Sequence, residues 1–502
     1  MSDTSVAGDT EGPTRRTRGT VALIIATVTV AAVVMLIVRR SSDPSAASPP
    51  PPQPIIAVLP LIDLAAGSDD YFNDGLAAEI AAGLAAVPGL EVRGRVSAGA
   101  YRDVNRDAGA VGAELGVSGV LDATVRRAAG QLRIAVRLVD TRSGRVVWTA
   151  VQDTAVAAWF AARDEIVEGV ARALGLEVGD VVRRRLERRR VGVDALDLYA
   201  LGRFGWAEHE SGDLLEAVAF YQLAIEADST FAAAWTALAE AYSLLPRFTR
   251  FPAEDVREGG AAAARTALRL DPDAADAHAV LGEILYLYER DFSGGRSHLR
   301  RAIELDPGNG EALARLCELE MYDGRLAEAE DACRRGANME PLSYRISWLQ
   351  ADLLKLKGDL EGALLSLDSL RFLSPGYAPL AADVAFTRLL AGDSTRAADD
   401  LAYWIGLLGG DETLATQWFT SGRSGALRQL AEDVDPAPSD VAALAALAGD
   451  APMALAAVRA ALRDRDPGSL RFGVFPEYEA LREQNAFRIL WEAALRESES
   501  VE

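Results

Sequence analysis

The chain has 502 residues, of which 50% are hydrophobic and 25% charged, a composition that excludes wholesale disorder. Its formal net charge of −22 disfavours nucleic-acid binding, which needs a surplus of Lys and Arg. Two cysteines and three histidines exclude a multi-cysteine metal site and leave little material for histidine-based catalysis. We therefore expect neutral or basic partners, no nucleic acid, no cofactor and no metal.

Residues 19–38 form an uncharged, mostly aliphatic run. A helix of this length spans the ~30 Å hydrocarbon core of a bilayer, so we predict a transmembrane helix. A cleaved signal peptide is the alternative, although its apolar core is ordinarily only about 7 to 15 residues long. Residues 1–18 would be a short cytoplasmic tail, which the arginines flanking the helix favour only slightly, and the proline-rich residues 39–54 a semi-rigid linker.

Residues 55–175 show short β-type runs alternating with amphipathic helical patterns, which predicts an α/β domain. The predicted strands lie at residues 55–61, 90–95, 117–127, 132–140 and 146–153, and the predicted helices at 75–87 and 156–174. The turn sequence at residues 141–144 indicates a hairpin between the last two strands.

Three carboxylates, Asp69, Asp70 and Asp74, lie close together before the first helix of this domain. Such a cluster could do acid–base work or bind a cation, but a polar loop with a helix cap explains it equally simply. No glycine-rich phosphate loop, nucleophile elbow or Cys/His pair accompanies it. We predict a binding module and not an enzyme.

An arginine-rich connector, residues 176–194, leads into the strongest pattern of the chain. Its arginines could meet anionic headgroups or nucleic acid, but a solvated helical connector is the simpler interpretation. Downstream, equivalent positions recur at intervals of 43, 35, 34 and 34 residues: Ser229, Pro272, Pro307, Pro341 and Pro375. A period of 34 residues is the tetratricopeptide length. We predict six repeats over residues 195–408, with about nine extra residues near 245–252.

Small residues keep the same spacing, and we expect them to let paired helices approach closely: Gly212, Gly324, Gly358 and Gly392, and Ala217, Ala329, Ala363 and Ala397. Residues 409–498 should hold a degenerate repeat, at 439–464, and capping helices, the last at 477–497. Cys317 and Cys333 face each other within one repeat, either as two small buried residues or as a disulfide in an oxidising compartment.

The inner surface of such an array is formed mainly by the first helix of each repeat. The inward positions carry Trp206, His209, Glu210, Glu240, Asp276, Glu283, Tyr286, Glu311, Glu318, Tyr322, Trp348 and Asp352. This pattern predicts an acidic, aromatic-bearing groove for a basic extended peptide or helix. The alternative is that acids are simply common in this chain. The groove nearly lacks basic residues, since Arg345 and Lys355 lie in one repeat, and this disfavours a clamp for acidic peptide ends.

Several stretches resemble the TolB amino-terminal-like domain that precedes tetratricopeptide arrays in bacterial membrane proteins. They are IAVLPL (Ile56 to Leu61), YFNDGLAAEIAAGL (Tyr71 to Leu84), LGVSGVLDATVRR (Leu115 to Arg127) and LRIAVRLVDTRSGRVVW (Leu132 to Trp148). ALDLYALGRFGW (Ala195 to Trp206) and RFGVFPEYEALREQNAF (Arg471 to Phe487) are similar to the same proteins. The resemblance implies a bacterial inner-membrane protein with its large C-terminal part outside the cytoplasm. Some relatives carry an N-terminal kinase, cyclase or DNA-binding domain, which we do not expect before the membrane helix here.

The sequence therefore predicts a single-pass, non-enzymatic membrane protein whose α/β domain and all-α solenoid act as a protein–protein interaction scaffold. The alternative is a signalling subunit that passes extracytoplasmic binding to a separate cytosolic effector. An enzyme built on Asp69, Asp70 and Asp74 is the third and least favoured hypothesis.

Overall fold

The computed structural model describes residues 53–63, 70–93, 101, 107–128, 131–155, 158–180, 182–183, 193–206, 211–248, 251–434 and 436–499. The predicted tail 1–18, the transmembrane helix 19–38 and almost all of the linker 39–54 lie outside these residues. In the described part of the chain, no helix has the length and apolar character needed to cross a membrane. Residues 54–502 form one compact unit.

The α/β domain is built on one mixed sheet. Its strands are β1 (Ile55–Val58), β2 (Ile62–Asp63), β3 (Glu91–Val92), β4 (Gly119–Ala128), β5 (Gln131–Asp140) and β6 (Val146–Ala155). The order is β3-β1-β4-β5-β6, with β2 also paired to β4. Strands β1, β2 and β3 run parallel to their neighbours, whereas β4, β5 and β6 form an antiparallel meander. The predicted hairpin thus joins β5 to β6.

Helices cover both faces of the sheet because successive residues of a strand point to opposite sides. Ile56 packs with α1 (Asp70–Ala85) and α3 (Trp159–Ala173), while Ala57 packs with α2 (Ala108–Leu115) on the other face. Strand β5 alternates in the same way, burying its Leu, Ile and Val residues and exposing its arginines. The sequence predicted this strand, but it predicted longer first and second strands and missed α2.

The rest of the described chain forms antiparallel helix pairs, so the predicted α/β domain followed by a helical solenoid is confirmed. The pairs are α4–α5 (Val193–Trp206, Ser211–Ala227), α6–α7 (Ala232–Phe248, Ala261–Leu270), α8–α9 (Ala275–Ile284, Phe292–Leu305), α10–α11 (Gly310–Tyr322, Leu326–Met339), α12–α13 (Tyr344–Leu356, Leu360–Leu373), α14–α15 (Ala378–Leu390, Ser394–Leu407), α16–α17 (Thr413–Thr420, Arg423–Asp433) and α18–α19 (Pro438–Ala448, Ala451–Arg463). One hydrophobic core runs from the sheet through the repeats to α12, and a second lies between α14 and the C-terminal region.

Local signals in the sequence start and stop these helices. The side chains of Asn309, Ser343 and Asp359 accept a hydrogen bond from the amide three residues on, which satisfies an otherwise unpaired helix amide. The recurrent glycines have a different role from the one expected. Gly324 and Gly358 adopt φ values of 72° and 84° in the turn between paired helices, with open space where a Cβ would lie. Glycine is needed there for the left-handed backbone and not for close packing.

Two parts of the solenoid depart from the predicted pattern. The extra residues of the second repeat lengthen α6 to Phe248 and add helical turns at Ala253–Asp255 and Val256–Gly260 before α7. At the C-terminus, the expected helix over 477–497 is α20 (Asn485–Glu499), preceded by short turns at Pro467–Gly473, Pro476–Tyr478 and Glu479–Arg482. The segment is bent because Phe472, Phe475 and Tyr478 pack inward as part of the second core.

Candidate protein-binding site

The inner surface of the solenoid brings together most of the acidic residues that the sequence placed there, but it also supplies their counter-ions. The guanidinium of Arg315 donates to Glu283 Oε2 at 2.9 Å and to Glu240 Oε1 at 3.2 Å. Arg345 donates to Glu283 Oε1 at 2.9 Å and to Glu318 Oε2 at 2.6 Å. We name this set of five residues the carboxylate ladder.

The ladder is largely closed to solvent. Glu283 is completely buried, and Glu318 and Arg315 are 6% and 3% exposed. Burial alone would lower the pKa of Arg315, but the carboxylates of Glu283 and Glu240 raise it above its ordinary value. The hydroxyls of Tyr286 and Tyr322 donate to the two oxygens of Glu318 at 2.8 and 3.2 Å. Every member of the ladder is therefore bonded to a neighbouring side chain.

The arrangement corrects the expectation of an open groove poor in basic residues. A row of unpaired carboxylates in a region of low dielectric constant would be costly, so each must be paired or exposed. Arg315, in the second turn of α10, and Arg345, in the first turn of α12, meet this need. Both arginines lie on the helices that follow Glu283 and Glu318 in the array. The sequence interpretation gave this position too little weight.

A second charged cluster lies further along the inner surface, on α12 and α14. The side chain of Lys355 is completely buried. Its ammonium bonds to Asp383, and its nitrogen lies 3.4 Å from Asp352 Oδ1. The indole of Trp348 donates to Asp383 Oδ2 at 2.8 Å. Asp352 and Asp383 are only 5% and 4% exposed. We name Asp352, Lys355 and Asp383 the acidic pocket.

An arginine from the far C-terminus fills the acidic pocket. Arg471 donates to both oxygens of Asp352 at 3.2 and 3.3 Å and to Asp383 Oδ1 at 3.2 Å. It also bonds to Glu477 at 3.3 Å, and its guanidinium carbon lies 3.8 Å from the ring centre of Phe475. This geometry combines a charge-assisted pair with a cation–π contact.

The two carboxylates of the pocket differ in acidity. Burial raises the pKa of Asp352 to about 6, against the opposing effect of Arg471. Asp383 is equally buried, but Lys355 and Arg471 overcome that effect and lower its pKa to about 2. Asp383 is therefore the anchoring anion of the pocket.

Residues 465–482, which we name the strap, lie across the inner surface. Arg465 donates to the carbonyl oxygen of Tyr288 at 2.6 Å, and Tyr478 donates to that of Ser439 at 3.1 Å. Between these ends Phe475 is completely buried, with its ring centre 6.3 Å from that of Tyr322. The strap thus contacts the first helices of several successive pairs.

The other predicted site residues are not part of these clusters. Trp206 ends α4, with its side chain outside the described part, and His209 and Glu210 lie wholly outside it. Asp276 is exposed and accepts a hydrogen bond from Asn309 at 2.9 Å, and Glu311 is half-buried beside Arg345. Whether these residues bind a partner stays a prediction.

The remaining candidate groups have structural partners or lie outside the described residues. The structure joins Cys317 and Cys333, both buried, in a disulfide between α10 and α11. Asp70 begins α1, whereas Asp69 and the side chains of Asp70 and Asp74 are not described. Residues 181 and 184–192 of the predicted arginine-rich connector are also outside. Within the described part, no group of three or more His, Cys, Asp or Glu is placed to hold a metal ion.

Comparisons with known proteins agree with the repeat architecture. Residues 286–353 match the model of the tetratricopeptide repeat family. A protein of Rhizobium meliloti (strain 1021) named "Putative adenylate cyclase 3" is 32% identical over 188 residues, which are 37% of this chain. The chain matches 32% of the length of that relative.

Solved structures of tetratricopeptide repeat proteins are similar at low sequence identity. A thermophilic repeat protein of Thermus thermophilus is 17% identical with a TM-score of 0.34, over 39% of this chain and 99% of that chain. PilF of Pseudomonas aeruginosa is 18% identical with a TM-score of 0.32, over 51% and 97%. Likenesses of this size say nothing about function. The helix pairs and the family match support a solenoid of tetratricopeptide repeats in the C-terminal region. In this protein an α/β domain packs on the first repeat, where Arg127 pairs with Asp197 at 2.8 Å.

Proposed function

We propose that this protein is a non-enzymatic, membrane-anchored scaffold for protein–protein interactions. The observation that carries the proposal is the inner surface of the solenoid, where polar side chains of successive first helices converge on one continuous face. Tetratricopeptide arrays use such faces to hold extended or helical segments of other proteins. The proposed partner is a protein with a basic or aromatic segment.

Within this face we propose the N-terminal half as the partner surface. The strap lies across the C-terminal half, and the ladder residue Glu283 is fully buried. Acidity remains accessible at Asp276, which is exposed, and at Glu240 and Glu311, whose side chains are 20% and 31% exposed. Trp206, His209 and Glu210 would extend this surface in the direction of the first repeat.

Charge reversal tests the surface. We expect an array of immobilised peptides graded from acidic to basic to retain the protein on its basic members, and the double variant Asp276→Lys, Glu311→Lys to lose that retention. The matched control is Glu361→Lys, Asp399→Lys, which reverses two exposed charges on the second helices α13 and α15. Equal loss in both variants, or no preference for basic peptides, would contradict the proposal.

The proposed location is the bacterial inner membrane, with residues 19–38 as a transmembrane helix and the large C-terminal part outside the cytoplasm. The Cys317–Cys333 disulfide supports this orientation, because disulfides persist in oxidising compartments. The TolB amino-terminal-like identity of residues 55–175 belongs to the same proposal and is supported by the mixed sheet. A phosphatase reporter fused after Glu502 should be active in the periplasm, and a reporter active only in the cytoplasm would contradict the proposed orientation.

A second candidate is a signalling subunit that passes binding outside the membrane to a separate cytosolic effector. The match to a relative named as an adenylate cyclase favours it, since that match places a related segment in a protein named for a signalling enzyme. This candidate requires residues 1–18 to contact the effector. Deleting them should abolish the response to an extracytoplasmic ligand while leaving partner binding intact, and an unchanged response would remove the candidate.

A further inference from the structure

The strap carries two features expected of a ligand of the inner surface, an arginine and an aromatic ring. Its central residues are an arginine and, four positions later, a phenylalanine, in a segment without long helices. The expected ligand of the groove is a basic, aromatic, extended segment. The strap as a whole has three basic and three acidic residues and forms short helical turns, so what it shares with the expected ligand is the arginine and the aromatic ring.

Each of the two anchors has a site made by the solenoid. The guanidinium of Arg471 meets Asp352 and Asp383, which lie 119 and 88 residues earlier in the chain. The ring of Phe475 lies beside Tyr322, and the ammonium of Lys355 is 5.4 Å from its centre. Three first helices, α10, α12 and α14, thus contribute side chains to two adjacent subsites.

The first of these subsites is unfavourable without a cation. Asp352 and Asp383 are buried and close enough to share one guanidinium, and Lys355 offers them a single ammonium. Two buried carboxylates with one cation retain an excess negative charge, which favours binding of a second cation. In the strap this cation is Arg471, which also bonds to the buried carboxylate of Glu477. A planar guanidinium that bonds to both carboxylates satisfies this need better than an ammonium.

We propose that the inner surface of α10, α12 and α14 is a recognition site for segments that carry an arginine four residues before an aromatic ring, and that the strap is its resident ligand. The strap holds the site closed in the isolated protein. A partner segment of the same chemistry binds only when the strap anchors are weakened or withdrawn. This inference rests on the proposed scaffold function and specifies the partner chemistry and the control of binding for one half of the groove.

The test uses a fluorescently labelled peptide with the strap sequence, residues 466–478, and the full chain as the receptor. In anisotropy titrations, wild-type protein should bind it weakly. The variant Arg471→Ala, Phe475→Ala should bind at least tenfold more tightly, because its two subsites are empty. The matched control, Glu479→Ala, Glu483→Ala, changes one exposed residue near the end of the strap and one directly after it, and should behave as wild type. A peptide with both anchors replaced by alanine should bind to none of the three proteins.

Peptide binding should also raise the melting temperature of the emptied variant but not that of the wild type. A variant that is folded by circular dichroism and yet does not bind the peptide would overturn the proposal. If the double variant does not fold, Arg471→Lys serves instead, since one ammonium cannot reproduce the bonds of the guanidinium to both carboxylates. Tighter peptide binding by Arg471→Lys than by wild type supports the proposal, and equal binding overturns it. Failure here leaves the basic-peptide test of Asp276 and Glu311 unaffected, so the two proposals are distinguishable.

Discussion

The carboxylate ladder and the acidic pocket solve one electrostatic problem in different ways. In both, acids on successive first helices face one inner surface at low exposure. The ladder is neutralised by arginines of adjacent repeats, whereas the pocket depends on Arg471 from a segment that returns from the C-terminus. The ladder is therefore a property of the repeat array itself. The pocket is complete only when the strap is in place. This half of the groove is therefore the part whose accessibility can change.

Removing Arg471 should produce the largest loss of stability. The variant Arg471→Ala leaves Asp352 and Asp383 buried with only Lys355, and breaking such a cluster costs about 3 to 5 kcal/mol. Urea denaturation measures the change. Arg459→Ala, at an exposed position of α19, is the control and should change stability by less than about 0.5 kcal/mol. Equal effects of the two variants would mean that the pocket does not depend on the strap.

Losing the disulfide should destabilise the ladder region by a smaller amount. Cys317 and Cys333 are 16 residues apart, and closing a loop of this size contributes about 2 to 4 kcal/mol. The denaturation midpoint of the wild type should fall when a thiol reductant is added, and the double variant Cys317→Ala, Cys333→Ala should not respond to it. Free thiols that react in the native, non-reduced protein would show that the bond is not formed.

Arg345→Ala should cost less than Arg471→Ala, about 1 to 3 kcal/mol, because Arg315 continues to pair with Glu283 and the hydroxyls of Tyr286 and Tyr322 continue to donate to Glu318. The same urea measurement ranks the two variants. A loss of stability as large as that of Arg471→Ala would mean that the remaining ladder residues do not compensate for the missing arginine as the geometry indicates. The order of the two effects therefore sharpens the contrast between the two regions.

The smallest effect concerns Asp440, near the start of the strap. Burial and then the neighbouring carboxylate of Asp466 raise the pKa of Asp440 to about 7, with Arg471 opposing them and Asp383 adding to them. Tyr478 also lies within its electrostatic reach. A raised carboxyl pKa means that the folded state binds the proton more tightly, so its contribution to stability is present below about pH 4 and is lost as the pH rises to about 7.

Replacing the carboxyl of Asp440 by an amide removes this pH-dependent loss of stability. Asp440→Asn should be more stable than wild type at pH 8, by roughly 1 to 3 kcal/mol, and the difference should shrink as the pH falls below 7. Thermal unfolding over pH 4 to 8 measures it. A difference that stays constant over this range would show that Asp440 has an ordinary pKa.

The repeat architecture was accessible from the sequence because its signals are local and periodic. The 34-residue spacing, the cap residues and the turn glycines each act within one repeat. Strand β5 was likewise predicted close to its observed bounds, because its apolar residues alternate with polar ones up to a turn. Helix α2 was missed because its sequence, AGAVGAEL, has little apolar periodicity.

The site was only partly accessible, because charge pairing between distant segments leaves no spacing to detect. The row of acids was visible, and so were Arg345 and Lys355. Nothing in the sequence linked Arg471 to Asp352, because the two residues are 119 positions apart. The turns between them bring the two side chains together. Repeat position thus predicts which side chains a helix directs to the inner surface, but it does not show which other segment covers them.

A double-mutant cycle between Asp352 and Arg471 tests the central claim most directly, namely that the strap neutralises the inner surface. Urea denaturation of Asp352→Ala, Arg471→Ala and the double variant gives the coupling energy of the pair. The structure predicts a coupling of more than about 1.5 kcal/mol, with the double variant less impaired than the sum of the single changes. Additive effects, within about 0.5 kcal/mol, would contradict the claim and place the strap elsewhere.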